Sequence, residues 1–258
     1  GSVVWQSRGP GPSNPPELPM CDCLDSSAAP APSRRRLLGG AAALAALASS
    51  TRVLAADTPL PDNRIGPAAA LDRLVQGNAR YVAGRSTQRD FSVGRVARTT
   101  GQRPFAAILS CADSRIAPEL AFDQGPGDLF VVRLAGNFVN DDALASMEYA
   151  IQFLEVPLIL VLGHSNCGAV SAAIKVVQEG TTLPGHLPGL VNAIRPAVEA
   201  ASRRQPSNLL VAATEQNVLL NVARLSTAEP ILAGRTASGA VRAVGGVYDL
   251  ASGKVSLV

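Results

Sequence analysis

Two short stretches hold most of the residues that could do metal or nucleophilic chemistry. GHSNCGA, Gly163 to Ala169, sets His164 and Cys167 three residues apart in a chain with only two histidines and four cysteines. CADSR, Cys111 to Arg115, adds another cysteine, an acid two residues on and an arginine two further. Two thiolates and an imidazole form a soft ligand set that suits zinc. Three protein ligands leave the fourth position of a tetrahedral ion open, as in catalytic rather than structural sites. Two thiolates would cancel the charge of the ion, so its water should be harder to ionise than the ~7 of a three-histidine site. Asp113 is placed to orient that water. Left unpaired, its carboxylate could take the metal itself, and Arg115 can clamp it in a two-point charge-assisted bond.

The residues alone leave bland readings open. Cys111 and Cys167 could form a disulfide in an exported domain. His164 could be a buried, ordinarily satisfied side chain, and Asp113–Arg115 a solvated surface pair. The remaining cysteines, Cys21 and Cys23, stand in a C-x-C with nothing nearby to complete a site.

Both stretches follow apolar runs. FAAILS, Phe105 to Ser110, precedes CADSR, and VPLILVL, Val156 to Leu162, precedes GHSNCGA; each reads as a buried strand. DLFVVRLAGN, Asp128 to Asn137, contains another strand, AVRAVGGVYDL, Ala240 to Leu250, the last long one, and SGK, Ser252 to Lys254, turns into a short terminal strand. Helices alternate with them. Pro67 to Gly84 carries Leu71, Leu74, Val75 and Val82 on a helix-spaced stripe. Asp141 to Glu155 starts with acids that suit the positive end of its dipole. Gly168 to Gly180 follows Cys167, and two helical stretches run to about Ser226 after the loop Thr181 to Gly189. Uniformly apolar strands separated by helices imply an α/β fold with a parallel sheet covered on both faces. Ligands of such sheets sit beyond the carboxyl ends of the strands. If the runs before Cys111 and His164 are neighbours, all three ligands converge there, with Cys167 at the first turn of a helix whose dipole favours a thiolate.

Composition narrows the function classes. The chain has 258 residues, 47% hydrophobic but only 4% aromatic, so the core is built from Ala, Val, Leu and Ile. Its net charge is +3. Residues 1–56 carry Arg8, Arg34, Arg35, Arg36 and Arg52 against Glu17, Asp22 and Asp25, which leaves the rest close to neutral. No strong field or basic–aromatic stripe is available for nucleic acid.

The front end reads separately. Residues 1–32 are rich in Pro, Gly, Ser and Ala and are expected to be disordered, with residues 1–19 upstream of a true start at Met20. Residues 33–56 have the layout of a signal peptide: Arg34 to Arg36, the apolar run Leu37 to Ala48, and small residues for cleavage after Ala55 or Ala56. The apolar run is too short to span a bilayer comfortably at the ~20 residues a helix needs. Ser33-Arg34-Arg35 followed by leucines resembles a twin-arginine signal. The expectation is a periplasmic protein, exported folded with its metal already bound, with residues 57–258 as the catalytic domain and no stable membrane anchor after signal removal.

On CADSR and GHSNCGA the chain resembles the β-class carbonic anhydrases, whose elements are C-x-D-S-R and H-x-x-C-G. FDQGPGDLFVVRLAGN, Phe122 to Asn137, LPGLVNAIRPAV, Leu187 to Val198, and GGVYDLASGKV, Gly245 to Val255, extend the likeness over nearly all of residues 67–258. The resemblance implies one zinc per chain on Cys111, His164 and Cys167, with Asp113 and Arg115 as the catalytic dyad. It implies reversible hydration of carbon dioxide to bicarbonate and a proton by zinc-bound hydroxide, with Gln124 and Gly168 as substrate contacts. It implies a four-stranded parallel core in the order 2-1-3-4, and a homodimer or homotetramer in which the first helix wraps a partner. Some members bind inhibitory bicarbonate at a Trp, an Arg and a Tyr; here Ile108 stands for the Trp, with Arg133 and Tyr149 at the other positions. The open, water-bound form of the site is expected at neutral pH. No histidine is an obvious proton shuttle, since His186 lies in a Pro/Gly loop. Related readings keep the zinc and hydrolyse carbonyl sulfide or carbon disulfide, or dispense with catalysis altogether.

Overall fold

The computed structural model describes residues 60–258. The disordered segment, the signal peptide and its cleavage site expected from the sequence lie outside the described residues. So do Cys21 and Cys23.

The first element among the described residues is α1 (Pro67–Val82), where Pro67 stands in the first helical turn. The fixed φ of proline suits that position, and its missing N–H costs nothing there. β1 (Ala106–Ser110), the single turn α2 (Pro118–Ala121) and β2 (Leu129–Arg133) follow. Next come α3 (Asp141–Phe153), β3 (Leu158–His164), α4 (Gly168–Glu179) and α5 (Leu187–Ser202). α6 (Leu209–Ser226), α7 (Leu232–Ala237), β4 (Arg242–Tyr248) and β5 (Val255–Leu257) complete the chain. Among the described residues no helix is long and apolar enough to cross a membrane.

The sheet has the order β2-β1-β3-β4-β5. The first four strands are parallel, in the order expected, and β5 adds an antiparallel edge to β4. Every residue of β1 and β3 is buried, which is why these runs lack the alternation of a half-exposed strand. Their side chains divide between two faces. Ile108, Leu158, Leu160 and Leu162 pack with Phe105, Phe122 and the α1 residues Ala70, Leu71 and Leu74. Ala107, Leu109, Ile159 and Val161 pack with Met147 and Ile151 of α3 and Val218 and Leu225 of α6.

One feature corrects the sequence reading. Val75 and Val82 are 48% and 45% exposed. The buried stripe of α1 instead runs through Ala70, Leu71, Leu74, Gly77 and Asn78. The polar Asn78 belongs to it because its side-chain amide donates to the carbonyls of Ala121 and Gly253 and its oxygen accepts from the Val255 N–H. The close approach of α6 to the sheet depends on missing side chains: a Cβ at Gly163 would fall 2.8 Å from Val218, and one at Gly245 2.6 Å from it.

Candidate metal centre

The parallel pairing of β1 and β3 sets Ser110 beside Leu162, so both strands deliver their next residues to one edge. Cys111 follows the last residue of β1, and His164 is the last residue of β3. A tight turn with Asn166 in the left-handed region then brings Cys167 back as the N-cap of α4. All three side chains are buried, and their ligand atoms lie within 4.8 Å of one another. A zinc ion with bonds of about 2.0–2.3 Å can bridge them. Both cysteines are free, so the disulfide alternative fails.

The donor chemistry fits the metal. His164 Nδ1 is 2.9 Å from the Ser165 carbonyl, which accepts its proton and leaves Nε2 as the ligand atom. Nε2 is buried and has no hydrogen-bond partner, a costly state for a polar atom unless something binds it. Ser165 is anchored in turn: its N–H donates to the Tyr248 carbonyl at 2.8 Å and its Oγ accepts from the Leu250 N–H at 2.9 Å. The end of β4 therefore holds the carbonyl that orients the imidazole. Hydrogen bonding from Cys167 draws the Cys111 thiol well below its usual range against the effect of burial, with help from His164 and the Gly136 amide. Cys167, as the donor of that pair and more deeply buried, goes the other way. Burial would lower the His164 pKa, but the neighbouring Cys111 sulfur outweighs it and the net shift is upward.

Asp113 stands at the rim. Its Oδ2 lies 3.8 Å from His164 Nε2. Arg115 grips it at both oxygens, Nε to Oδ1 at 2.9 Å and Nη2 to Oδ2 at 2.7 Å, and the Arg115 amide adds a third bond to Oδ1 at 2.9 Å. The side-chain bond to Arg115 holds the carboxyl far below the ordinary range, so it is an acceptor only. Arg115 also reaches the Asn166 carbonyl at 3.4 Å, which ties the two sequence stretches together.

The other expected contacts divide. Gly168 is the first residue of α4, next to Cys167, with open space where a Cβ would be. Gln124 is not brought to the cluster by its own chain. Its Oε1 accepts from Arg73 Nε at 3.1 Å and its Nε2 donates to the Phe122 carbonyl at 2.7 Å. Arg133 and Tyr149 are each engaged with other partners. The Arg133 guanidinium donates to the carbonyls of Cys111, Asp113 and Ile116, at 3.1, 2.7 and 2.9 Å, and so braces the CADSR loop. Tyr149 lies between Phe130 and Phe153, with ring centroids 6.2 and 5.4 Å away. His186 stands at the N-cap position of α5 without a side-chain capping bond and is exposed. The bracing role of Arg133 was not legible in sequence, because carbonyl contacts leave no residue-type signature.

A parallel sheet with a Cys–His–Cys cluster at its carboxyl edge defines a class of zinc enzymes, and the comparisons give the family. The carbonic anhydrase family profile matches residues 106–255. Carbonic anhydrase 2 of Mycobacterium tuberculosis is 41% identical over 192 residues, covering 74% of this chain and 92% of that protein. The solved β-carbonic anhydrase CcaA aligns at TM-score 0.55 and 31% identity, over 72% of this chain and 94% of that one. The β-carbonic anhydrase of Coccomyxa, solved with acetazolamide, aligns at TM-score 0.58 and 25% identity, over 74% and 82%. The chain belongs to the carbonic anhydrase family, in its β class, and is an enzyme with zinc as its metal. The sulfur-substituted substrates gain no support from these relatives.

Proposed function

We propose that the chain hydrates carbon dioxide reversibly at a zinc ion held by Cys111, His164 and Cys167, with Asp113 and Arg115 as the catalytic dyad. The observation that carries this is the buried three-ligand cluster with an arginine-locked carboxylate at its rim. When bound, the ion would supply a Lewis acid that lowers the pKa of a water and so makes it a nucleophile. Asp113 Oδ2 accepts a hydrogen bond from that nucleophile and so turns a free lone pair toward the carbon of the substrate. Arg115 keeps the carboxylate from swinging onto the metal, which supports an open site at neutral pH. The burial of the three ligands excludes bulk water from the metal cluster and strengthens the electrostatic interactions within it. With no second histidine beside the cluster among the described residues, the product proton passes to buffer or to water. Gly168 borders the space open to substrate, and Gln124 contributes to the site of a neighbouring subunit. The test is carbon dioxide hydration by stopped flow, with acetazolamide as an inhibitor and zinc measured in the same sample.

Assembly and location complete the proposal. The outer face of α1 exposes Val75 and Val82, and the segment after it exposes Phe91, Val93 and Val96. This apolar surface supports a homodimer or homotetramer built around α1. The arrangement of residues 33–56 supports twin-arginine export to the periplasm. A fusion of residues 20–60 to a reporter, with Arg34 and Arg35 changed to Lys, tests the route: export that survives the double change contradicts it.

A further inference from the structure

The loop between β2 and α3 touches the metal centre at one atom. The buried Gly136 N–H donates to Cys111 Sγ at an N···S distance of 3.2 Å. Gly136 has φ +86°, and a Cβ there would fall 2.5 Å from Ile194 Cδ1, so the amide reaches the sulfur only because the residue is glycine. This stretch is neither helix nor strand, so something else must hold it.

α6 does so with a polar stripe on its inner face. Asn217, Asn221 and Arg224 stand at i, i+4 and i+7, and therefore on one side of the helix. Asn217 Nδ2 donates to the Gly136 carbonyl at 2.8 Å. Asn221 Oδ1 accepts from the Val139 N–H at 2.7 Å, and Arg224 Nη1 donates to the Val139 carbonyl at 2.6 Å. Asn221 Nδ2 lies 3.3 Å from Asn217 Oδ1, which fixes the Asn217 amide with its nitrogen toward Gly136. Asn217 and Asn221 are 2% and 7% exposed. Buried amides destabilise a fold unless satisfied, and here their side chains serve this one loop and each other.

We propose that Asn217, supported by Asn221 and Arg224, is a positioning residue for the metal centre. It holds Gly136 so that its N–H shares the charge of the Cys111 sulfur. A thiolate that accepts a hydrogen bond gives less charge to its metal, so a centre with two thiolates keeps more Lewis acidity than its ligand count suggests. The inference rests on the zinc reading above.

The test uses the full chain, labelled with nitrogen-15 and loaded with cadmium-113 in place of zinc. A hydrogen bond onto a metal-bound sulfur transmits scalar coupling between the cadmium and the amide proton. The wild-type protein should show that coupling at Gly136. Asn217→Leu, close in volume, should keep one cadmium per chain and lose the coupling. In the cobalt-substituted variant the thiolate-to-metal charge-transfer band should move to lower energy. Bound cadmium without coupling at Gly136 in the wild type overturns the proposal, whether or not the variant folds. A variant that keeps both the coupling and the cobalt band also overturns it. A wild-type chain that takes up no cadmium at Cys111, His164 and Cys167 overturns the zinc reading itself, and this inference with it.

Discussion

In the proposed mechanism Asp113 reaches the chemistry only as its neighbours allow, so the residue scale is where the proposed dyad is tested. Asp113→Asn should keep one zinc per chain and lower kcat/KM by about 10²–10³, the range for removing one preorganised hydrogen-bond partner of a transition state; metal analysis beside stopped-flow rates checks both halves. Retained activity would move the role elsewhere. Ser165 makes a different kind of contribution. Ser165→Ala deprives the Leu250 N–H of its acceptor and loosens the carbonyl that orients His164. Zinc affinity should fall by roughly 10–100-fold, as for other groups that orient a metal ligand; competition with a chromophoric chelator measures it. The Cys111–His164–Cys167 cluster was legible in the sequence because His and Cys are rare in this chain and follow apolar runs, and the Asp113–Arg115 pairing because the two stand two residues apart just after Cys111. Asn217, Asn221 and Arg224 were not: polar residues at helical spacing read as a solvated face until the loop they grip is seen.

At the scale of elements, the turn after α2 carries a buried charge. Asp123 is 2% exposed and in the left-handed region, with Arg80, Arg89 and Thr87 bonded to its carboxylate. Burial alone would raise its pKa, but the two guanidiniums and Thr87 outweigh that and hold it far below the usual value. Folded protein therefore binds fewer protons there than unfolded protein does. The contribution is fully present above the unfolded pKa of ~4 and is lost as pH falls below it. Urea midpoints measured from pH 7 down to pH 3 should fall less steeply for Asp123→Asn than for wild type; parallel curves would remove Asp123 from the acid response. α6 offers a second test. Gly163→Ala drives a methyl into Val218 and should cost about 1–3 kcal/mol in denaturant unfolding. β1 and β3 were readable as charge-free runs. The inner stripe of α1 was misjudged at Val75 and Val82, because periodicity cannot say that Asn78 has partners waiting in two loops.

At the scale of the whole molecule, one chain leaves apolar surface on α1 and on the segment that follows, while Gln124 is turned toward Arg73 rather than toward its own cluster. Light scattering after size exclusion should give at least twice the mass of the chain, and Phe91→Glu combined with Val96→Glu should shift the population toward monomer; a monomeric wild type would contradict the assembly. The sheet order, including β1 beside β3, followed from the family resemblance, and the short terminal strand from a turn signal at Ser252 to Lys254, but its antiparallel pairing with β4 is a tertiary fact. The central claim is that the pairing of β1 with β3 builds a zinc site that hydrates carbon dioxide. The most direct measurement is stopped-flow hydration by the chain from Asp57 onward, with zinc quantified in the same sample. The expected result is activity at about one zinc per chain, abolished by Cys111→Ser. Full zinc without hydration would contradict the account.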